Sequence, residues 1–392
     1  MKKASVPQRA AAVIRRALER VGAASADCAG CSFVAMISGG SDSVALAYAL
    51  ADLRDAQQLP GRVVFVHVNH NLRGEASDGD AAFVCALAKH LGFDLREFSI
   101  DIPMLMEDGG NMEAVARAAR YRAAAGVLSG ADASPACNAG ELSSCDVAGG
   151  LVLTAHTADD RVENFFMRAI VGTGPGGFRS MDYVSKVEGC TVCRPLLDVG
   201  REELRDFVRF HPNALIDPSA SDFDMGALWR EDATNADTDR FRAYVRHEMV
   251  PLAKARNPRL LDTLTRTMNL IAEEDDMVAA QAARLGARLV RSLDGAACAW
   301  EPGALCASSG VLIAPELAES PVPLQRRVLD SVLTALLPAD DRVETASIEA
   351  CLACLGESGR VANIQGNLAV SYNKRGLRVE PMAAFRARRN RG

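Results

Sequence analysis

The chain contains no apolar run long enough to cross a bilayer, no excess of positive charge and no internal repeat. The first absence excludes a membrane-spanning helix, which needs roughly twenty consecutive apolar residues. Lys2 and Lys3 mimic the start of a signal peptide, but Arg9, Arg15, Arg16, Glu19 and Arg20 break what would be its apolar segment, so a cytoplasmic location is expected. The formal charge of −6 provides no global pull on nucleic acid. Any such partner has to be held by local patches: Arg386, Arg388, Arg389 and Arg391 in the tail, or Arg240, Arg242 and Arg246, unless these are solvated charged faces.

Eleven cysteines include three C-x-x-C pairs, Cys28/Cys31, Cys190/Cys193 and Cys351/Cys354. Zinc needs four ligands, so two pairs would have to meet in space; reduced, partly buried thiols are the plainer expectation.

What is present begins with Ser38-Gly39-Gly40-Ser41-Asp42-Ser43, set between the apolar run Phe33 to Ile37 and the helix-like Val44 to Leu50. Strand, small-residue loop and helix N-terminus together make an anion site: glycines admit close backbone approach, serines offer hydroxyls, and the helix opens with free N–H groups. The loop lacks the lysine of a GxxxxGKS/T P-loop, which argues against an ordinary kinase-like or GTPase-like site. Asp42 would repel phosphate unless a divalent cation lay between them, so a magnesium bridge is expected there.

Arg62 to Val68 reads as a buried strand ending in Asn69-His70-Asn71-Leu72-Arg73, followed by helical spacing over 76–91 and a third strand over 94–100. A helix is expected over 112–128, then a surface loop or insertion over 130–150, then a strand over 151–155 that ends in His156. Residues 8–22 read as an amphipathic helix, and further helices are expected near 202–210, 260–293, 323–337 and 344–354. A hairpin over 367–380 closes the chain. The fold class is therefore α/β, a doubly wound parallel sheet, with a smaller, mainly helical C-terminal domain. The length of 392 residues allows two or three cores, and the boundary is placed at 255/256.

His156-Thr157-Ala158-Asp159-Asp160-Arg161-Val162-Glu163 places an imidazole and three carboxylates at one strand end and the first turns of a helix. Asp160 and Glu163 share a helix face, where they can hold magnesium, orient an amine or accept its proton. Thr157-x-x-Asp160 is also a capping-box pattern, so local capping is an alternative reading.

With these motifs, Arg117-Ala118-Ala119-Arg120-Tyr121, Arg194-Pro195-Leu196-Leu197 and Glu231-Asp232-Ala233-Thr234-Asn235 with Arg242 and Arg246, the chain resembles the PP-loop ATP pyrophosphatase superfamily. Within it, the resemblance is to the tRNA(Ile)-lysidine synthetase family. That resemblance implies a Rossmann-like PP-loop domain and a C-terminal accessory domain that helps hold tRNA. The implied reaction joins free lysine to C2 of cytidine 34 in tRNA(Ile) with anticodon CAU, through an adenylated base, releasing pyrophosphate and AMP. It implies ATP bound at Ser38, Gly39, Gly40, Ser41, Asp42, Ser43 and His67, Mg2+ at Asp42 and Asp160, and chemistry by Asp42, His156, Asp160, Glu163 and Arg117. Which of His156, Asp160 and Glu163 handles the amine proton stays open, as does the oligomeric state, a homodimer being one arrangement. Family members usually carry His at Thr157, Gln at Arg161, Thr at Asn164, Arg at Val171 and Asn at Ala243. Two rival readings are a PP-loop tRNA 2-thiolation enzyme, with Cys190 and Cys193 as its thiols, and a tRNA-binding module without catalysis.

Overall fold

The structure is a computed structural model and describes residues 4–20, 31–59, 61–69, 75–100, 112–130, 150–215, 228–230, 241–295, 300–306, 308–339 and 341–390. The chain divides into two compact units, Met1–Asn269 and Leu270–Gly392, so the division falls inside a long helix rather than at 255/256.

The first unit runs α1 (Val6–Arg20), β1 (Cys31–Met36), α2 (Ser41–Asp55), β2 (Gly61–Asn69), α3 (Glu75–Leu91), β3 (Asp94–Ser99), α4 (Met112–Leu128), β4 (Leu151–Leu153) and α5 (Ala158–Val171). It continues with β5 (Val184–Val187), β6 (Cys190–Cys193), α6 (Arg201–Arg209), α7 (241–256) and the start of α8 (Leu260–Leu289). Six strands form one sheet in the order β3-β2-β1-β4-β6-β5, parallel except for the β5 edge. Alternate residues feed opposite faces: Phe33, Ala35 and Phe65 join one core, Val34, Val66 and Val152 the other. Burial on both faces is why these strands read as continuous apolar runs. The spacing of α1 is honoured, with Val13, Ile14, Ala17 and Leu18 buried.

Strand order reverses between β1 and β4. In doubly wound sheets, ligands bind beyond the carboxyl ends of the strands at such a switch point. The Ser38 to Ser43 loop follows β1 and His156 follows β4, so the topology delivers both motifs to that crevice.

The β5–β6 hairpin was not anticipated. Its strands have only four residues each, and Glu188 (φ 47°) and Gly189 (φ 74°) turn it through two left-handed positions. This is the turn geometry that two-residue hairpins favour, although glutamate is an unusual residue for it.

Helix α7 comprises Phe241–Tyr244, a π-turn Val245–Met249 and Val250–Arg256. Pro251 carries no N–H and its ring crowds the carbonyl one turn back; the turn widens, and the N–H of Val250 reaches the carbonyl of Val245.

The second unit holds the rest of α8, β7 (Val290–Ser292), β8 (Val311–Ile313), α9 (Val322–Leu336), α10 (Thr345–Cys354), β9 (Val361–Ile364), β10 (Leu368–Asn373), β11 (Gly376–Pro381) and α11 (Met382–Arg389). Its helices, as expected, outweigh its strands in length, but they pack on a five-stranded antiparallel sheet, β7-β8-β11-β10-β9, of which the expected hairpin is two strands. Gly376 (φ 124°) is required there: a Cβ would lie 2.0 Å from the carbonyl oxygen of Ile313. Among the described residues no helix is long and apolar enough to cross a membrane.

Candidate active site

The loop after β1 is held by its own last serine. Ser43 Oγ accepts from the backbone N–H groups of Ser38 (3.2 Å) and Gly39 (3.1 Å) and donates to the Gly40 carbonyl (2.9 Å). Its hydroxyl therefore shapes the loop, leaving the loop's remaining backbone and the N-terminus of α2 to face an anion. Gly39 (φ 90°) takes a conformation that favours glycine, and its carbonyl accepts from the Arg230 N–H at 2.9 Å. His67 is buried, with Nδ1 2.8 Å from the Ile37 carbonyl. That contact places His67 under the end of β1 and supports the loop.

At the β4 end, Thr157 caps α5. Its hydroxyl accepts from the Asp160 N–H (3.3 Å), and Asp160 Oδ2 accepts in return from the Thr157 N–H (2.9 Å) and hydroxyl (3.0 Å). The capping reading is thus correct, and it occupies only one oxygen of Asp160. Oδ1 accepts from Arg242 Nη2 (2.9 Å) and Arg201 Nη2 (3.3 Å). Glu163, 2% exposed, accepts from Arg246 Nε (2.7 Å) and Nη2 (2.9 Å) and from Arg242 Nε (3.0 Å). Asp159 accepts from Lys254 Nζ (2.7 Å) and the Arg201 N–H (2.7 Å). Asp42 Oδ2 accepts from Arg201 Nε at 3.1 Å. Buried carboxylates of this kind persist only when paired and hydrogen-bonded.

The π-turn fixes which side chains share this task. Lys254 follows Arg246 by eight residues, which in an unbroken α-helix would set it roughly 80° away around the axis, at roughly 100° per residue. The one residue absorbed by the π-turn brings it back to within roughly 20°. Arg242, Arg246 and Lys254 thereby face the acids of α5 together.

Burial acts to raise the Asp160 carboxyl, but Arg201, Arg242 and His156 outweigh it and hold the group below the ordinary carboxylate range. Asp42 is raised, burial exceeding the pull of Arg201. His156 is held at about 4 by burial above all, opposed by Asp160 and reinforced by Arg194, Arg117 and Arg242. Its ring is neutral near pH 7, with Nδ1 3.0 Å from the Thr154 hydroxyl. Arg117 is exposed, lies over the Tyr121 ring and belongs to the field around His156.

Two sequence expectations change. Arg242 and Arg246 are not a free basic patch but the partners of Asp160 and Glu163. Cys190 and Cys193, three apart on a strand, lie on opposite faces of the sheet, Cys190 in one core and Cys193 in the other. Both thiols are buried, Cys190 Sγ donating to the Tyr121 carbonyl at 3.6 Å, and burial pushes Cys193 up to about 12. Cys351 and Cys354 are buried in the core of the second unit. Two of the departures from the family pattern have local tasks as well. Arg161 is fully buried against Asn269 (2.9 Å) and Tyr183, and Asn164 donates to Ser180 (3.1 Å).

Arg201 was missed by sequence reasoning, although it carried a signal. A cation at the first position of α6 opposes the helix dipole and needs an acidic partner elsewhere. Residues 28, 70–73, 131–149, 231–235, 240 and 391 lie outside the described residues, and with them parts of two motifs, three cysteines, the last arginine of the tail and the expected insertion.

Asp42 and Asp160 fit a magnesium ion in donor type and in convergence: each offers a hard carboxylate oxygen, and both oxygens already meet one cation, Arg201. Among the described residues no three His, Cys, Asp or Glu side chains form a metal cage by themselves. Magnesium is commonly held by one or two carboxylates completed by substrate phosphates, so two acids beside an anion loop suffice.

A model of the PP-loop domain matches residues 19–253 of this chain. The tRNA(Ile)-lysidine synthase of Symbiobacterium thermophilum is 31% identical over 299 residues, 76% of this chain and 54% of that protein. The tRNA(Ile)-lysidine synthase of Dehalococcoides mccartyi is 31% identical over 268 residues, 67% of this chain and 50% of that one. The chain thus spans about half the length of the curated relatives it matches. Among solved structures, a U34-tRNA thiolase from Methanococcus maripaludis with its 4Fe-4S cluster aligns at a TM-score of 0.46 and 15% identity, covering 68% of this chain and 79% of that one.

Proposed function

The chain belongs to the PP-loop domain family, and we propose that it ligates free L-lysine to C2 of the wobble cytidine 34 of tRNA(Ile) with anticodon CAU, using ATP. The observation that carries this reading is the convergence, at one switch point, of an anion loop without a P-loop lysine and a group of half-buried His156 with buried Asp160 and Glu163, in a chain similar to lysidine synthases. The exocyclic oxygen on C2 of the base is a poor leaving group. Adenylation by ATP converts it to a phosphate ester, pyrophosphate departing first and AMP when the lysine ε-amine adds.

In this reading the loop from Ser38 to Ser43 and the N-terminus of α2 bind the phosphates of ATP, with Arg117 supplying positive charge where the adenylate forms. Asp42 and Asp160 would hold magnesium, which neutralises phosphate charge when bound. Among the three candidates for the amine proton, the oxygens of Glu163 and Asp160 are occupied by arginine and capping hydrogen bonds, whereas His156 is uncharged. His156 takes the proton as the C–N bond forms, when the nitrogen bears positive charge and is far more acidic than a free ammonium group. The target base must leave the anticodon stack to reach the crevice.

Thiolation would need two thiols at one reacting point. Cys190 and Cys193 face opposite sides of the sheet, which favours lysine transfer.

The deciding measurement is mass spectrometry of nucleosides from CAU-anticodon tRNA(Ile) after incubation with the protein, Mg2+, ATP and lysine, with a no-lysine control. The expected product is cytidine heavier by one lysine less one water. Unmodified cytidine from folded protein would sink the lysine assignment.

A further inference from the structure

Arg201 touches acids from both halves of the crevice. Its Nε lies 3.1 Å from Asp42 Oδ2, its Nη2 3.3 Å from Asp160 Oδ1 and its Nη1 3.7 Å from Glu163 Oε1. It therefore stands where a cation shared by Asp42 and Asp160 would stand. Its backbone does not share the freedom of its side chain. The Arg201 N–H is fixed on Asp159 Oδ2 at 2.7 Å, and the preceding Gly200 is crowded, since a Cβ there would lie 3.1 Å from Leu261 Cδ1. A long side chain on an anchored pivot can turn without disturbing the fold. The Asp42 that it touches opens α2, directly beside the anion loop. Guanidinium groups bind phosphate bidentately, so phosphates at that loop compete with Asp42 and Asp160 for Arg201.

We propose that Arg201 is a resident counter-ion that keeps the metal position closed until nucleotide phosphates draw its guanidinium away, so that metal and nucleotide load together and never metal first. This rests on the reading of Asp42 and Asp160 as magnesium ligands, and it adds an order of loading and a residue that enforces it. Without Arg201 the buried acids would face one another with a cation missing, and free metal would enter to restore the balance. With Arg201 present, free metal must first displace a hydrogen-bonded guanidinium.

The test uses the full chain and Mn2+ as a paramagnetic stand-in for Mg2+. Free Mn2+ is followed by electron paramagnetic resonance, with and without a non-hydrolysable ATP analogue. Wild type is expected to bind Mn2+ weakly alone and at least about tenfold more tightly with the analogue, an ordinary size for coupling between sites. Arg201→Gln is expected to bind Mn2+ about tenfold more tightly than wild type without nucleotide and to gain little more from the analogue; Arg201→Gln with Asp42→Asn loses that gain. Arg201→Lys, which keeps the charge on a shorter stem, falls between and serves if the Gln variant does not fold. If wild type couples metal to nucleotide but neither Arg201 variant binds free Mn2+ more tightly, the counter-ion proposal is overturned and the metal site stands. If wild type with the analogue binds no Mn2+, the metal site itself is wrong and the proposal falls with it.

Discussion

Two regions of this protein bury a carboxylate among arginines, and they differ in everything else. In the second unit Glu380, on β11 and 2% exposed, accepts from Arg388 Nε (3.1 Å) and Nη2 (2.6 Å) and from Arg378 Nη1 (3.3 Å). This tie fastens α11, and with it the basic tail, to the sheet. In the first unit Glu163 is as deeply buried and as fully paired, but it sits at the switch point of a parallel sheet beside Asp42, Asp159, Asp160 and a neutral His156. A buried acid–arginine pair is therefore no sign of chemistry by itself. Several acids sharing one guanidinium, next to an anion loop, are.

Removing each acid separates the two cases. Glu163→Gln should abolish lysidine formation by at least about a hundredfold in protein that still folds, because it releases Arg242 and Arg246 onto Asp160. It should also cost about 3–5 kcal/mol in urea unfolding. Glu380→Gln should cost a comparable amount, since Arg378 and Arg388 are exposed to the same degree as Arg242 and Arg246, and leave the affinity for Mn2+ with an ATP analogue unchanged. Equal damage to metal–nucleotide binding by both would erase the distinction.

A third measurement sharpens it through pH. His156 is held at about 4 against an ordinary value of 6.5, so the unfolded chain binds its proton more readily. Above pH 6.5 neither state is charged there and nothing is lost. As pH falls from 6.5 towards 4, stability drains away, of order 3 kcal/mol at 1.36 kcal/mol per unit. His156→Gln should show a correspondingly smaller loss between pH 7 and 4.5 in parallel urea titrations, and an identical slope would contradict a neutral, half-buried imidazole. The smallest effect is expected from Cys190→Ala with Cys193→Ala: about 1–2 kcal/mol of stability, with lysidine yield kept within about threefold. Loss of product there would revive the sulfur chemistry.

The parallel sheet and both ends of the crevice were legible because strands buried on both faces read as short continuous apolar runs and amphipathic helices impose a period of 3.6. Met112–Leu128 follows from helical spacing, and the apolar runs read to Ile37 and Ala155 correspond to β1, which ends at Met36, and β4, which ends at Leu153. What stayed hidden has its own physics. The β5–β6 hairpin is too short for a period to show, and its one signal is Gly189 after a charged residue. The strands β7 and β8 have three residues each. Arg242 and Arg246 read as surface because charge predicts exposure, whereas their acids lie some eighty residues earlier in the chain. Arg201 was legible only as an electrostatic misfit at a helix start.

The widened turn at Val245–Met249 also has a genetic consequence. The π-turn absorbs one additional residue, so Lys254 stays in phase with Arg242 and Arg246 although the chain between them is one residue too long for a regular α-helix. Losing the Met249 codon would keep the reading frame and every charged side chain and, by closing the π-turn to an ordinary α-turn, leave Lys254 within roughly 20° of Arg246 and facing Asp159. The helix therefore tolerates the loss of one residue at this turn, where an extra one is already absorbed, better than at its regular turns.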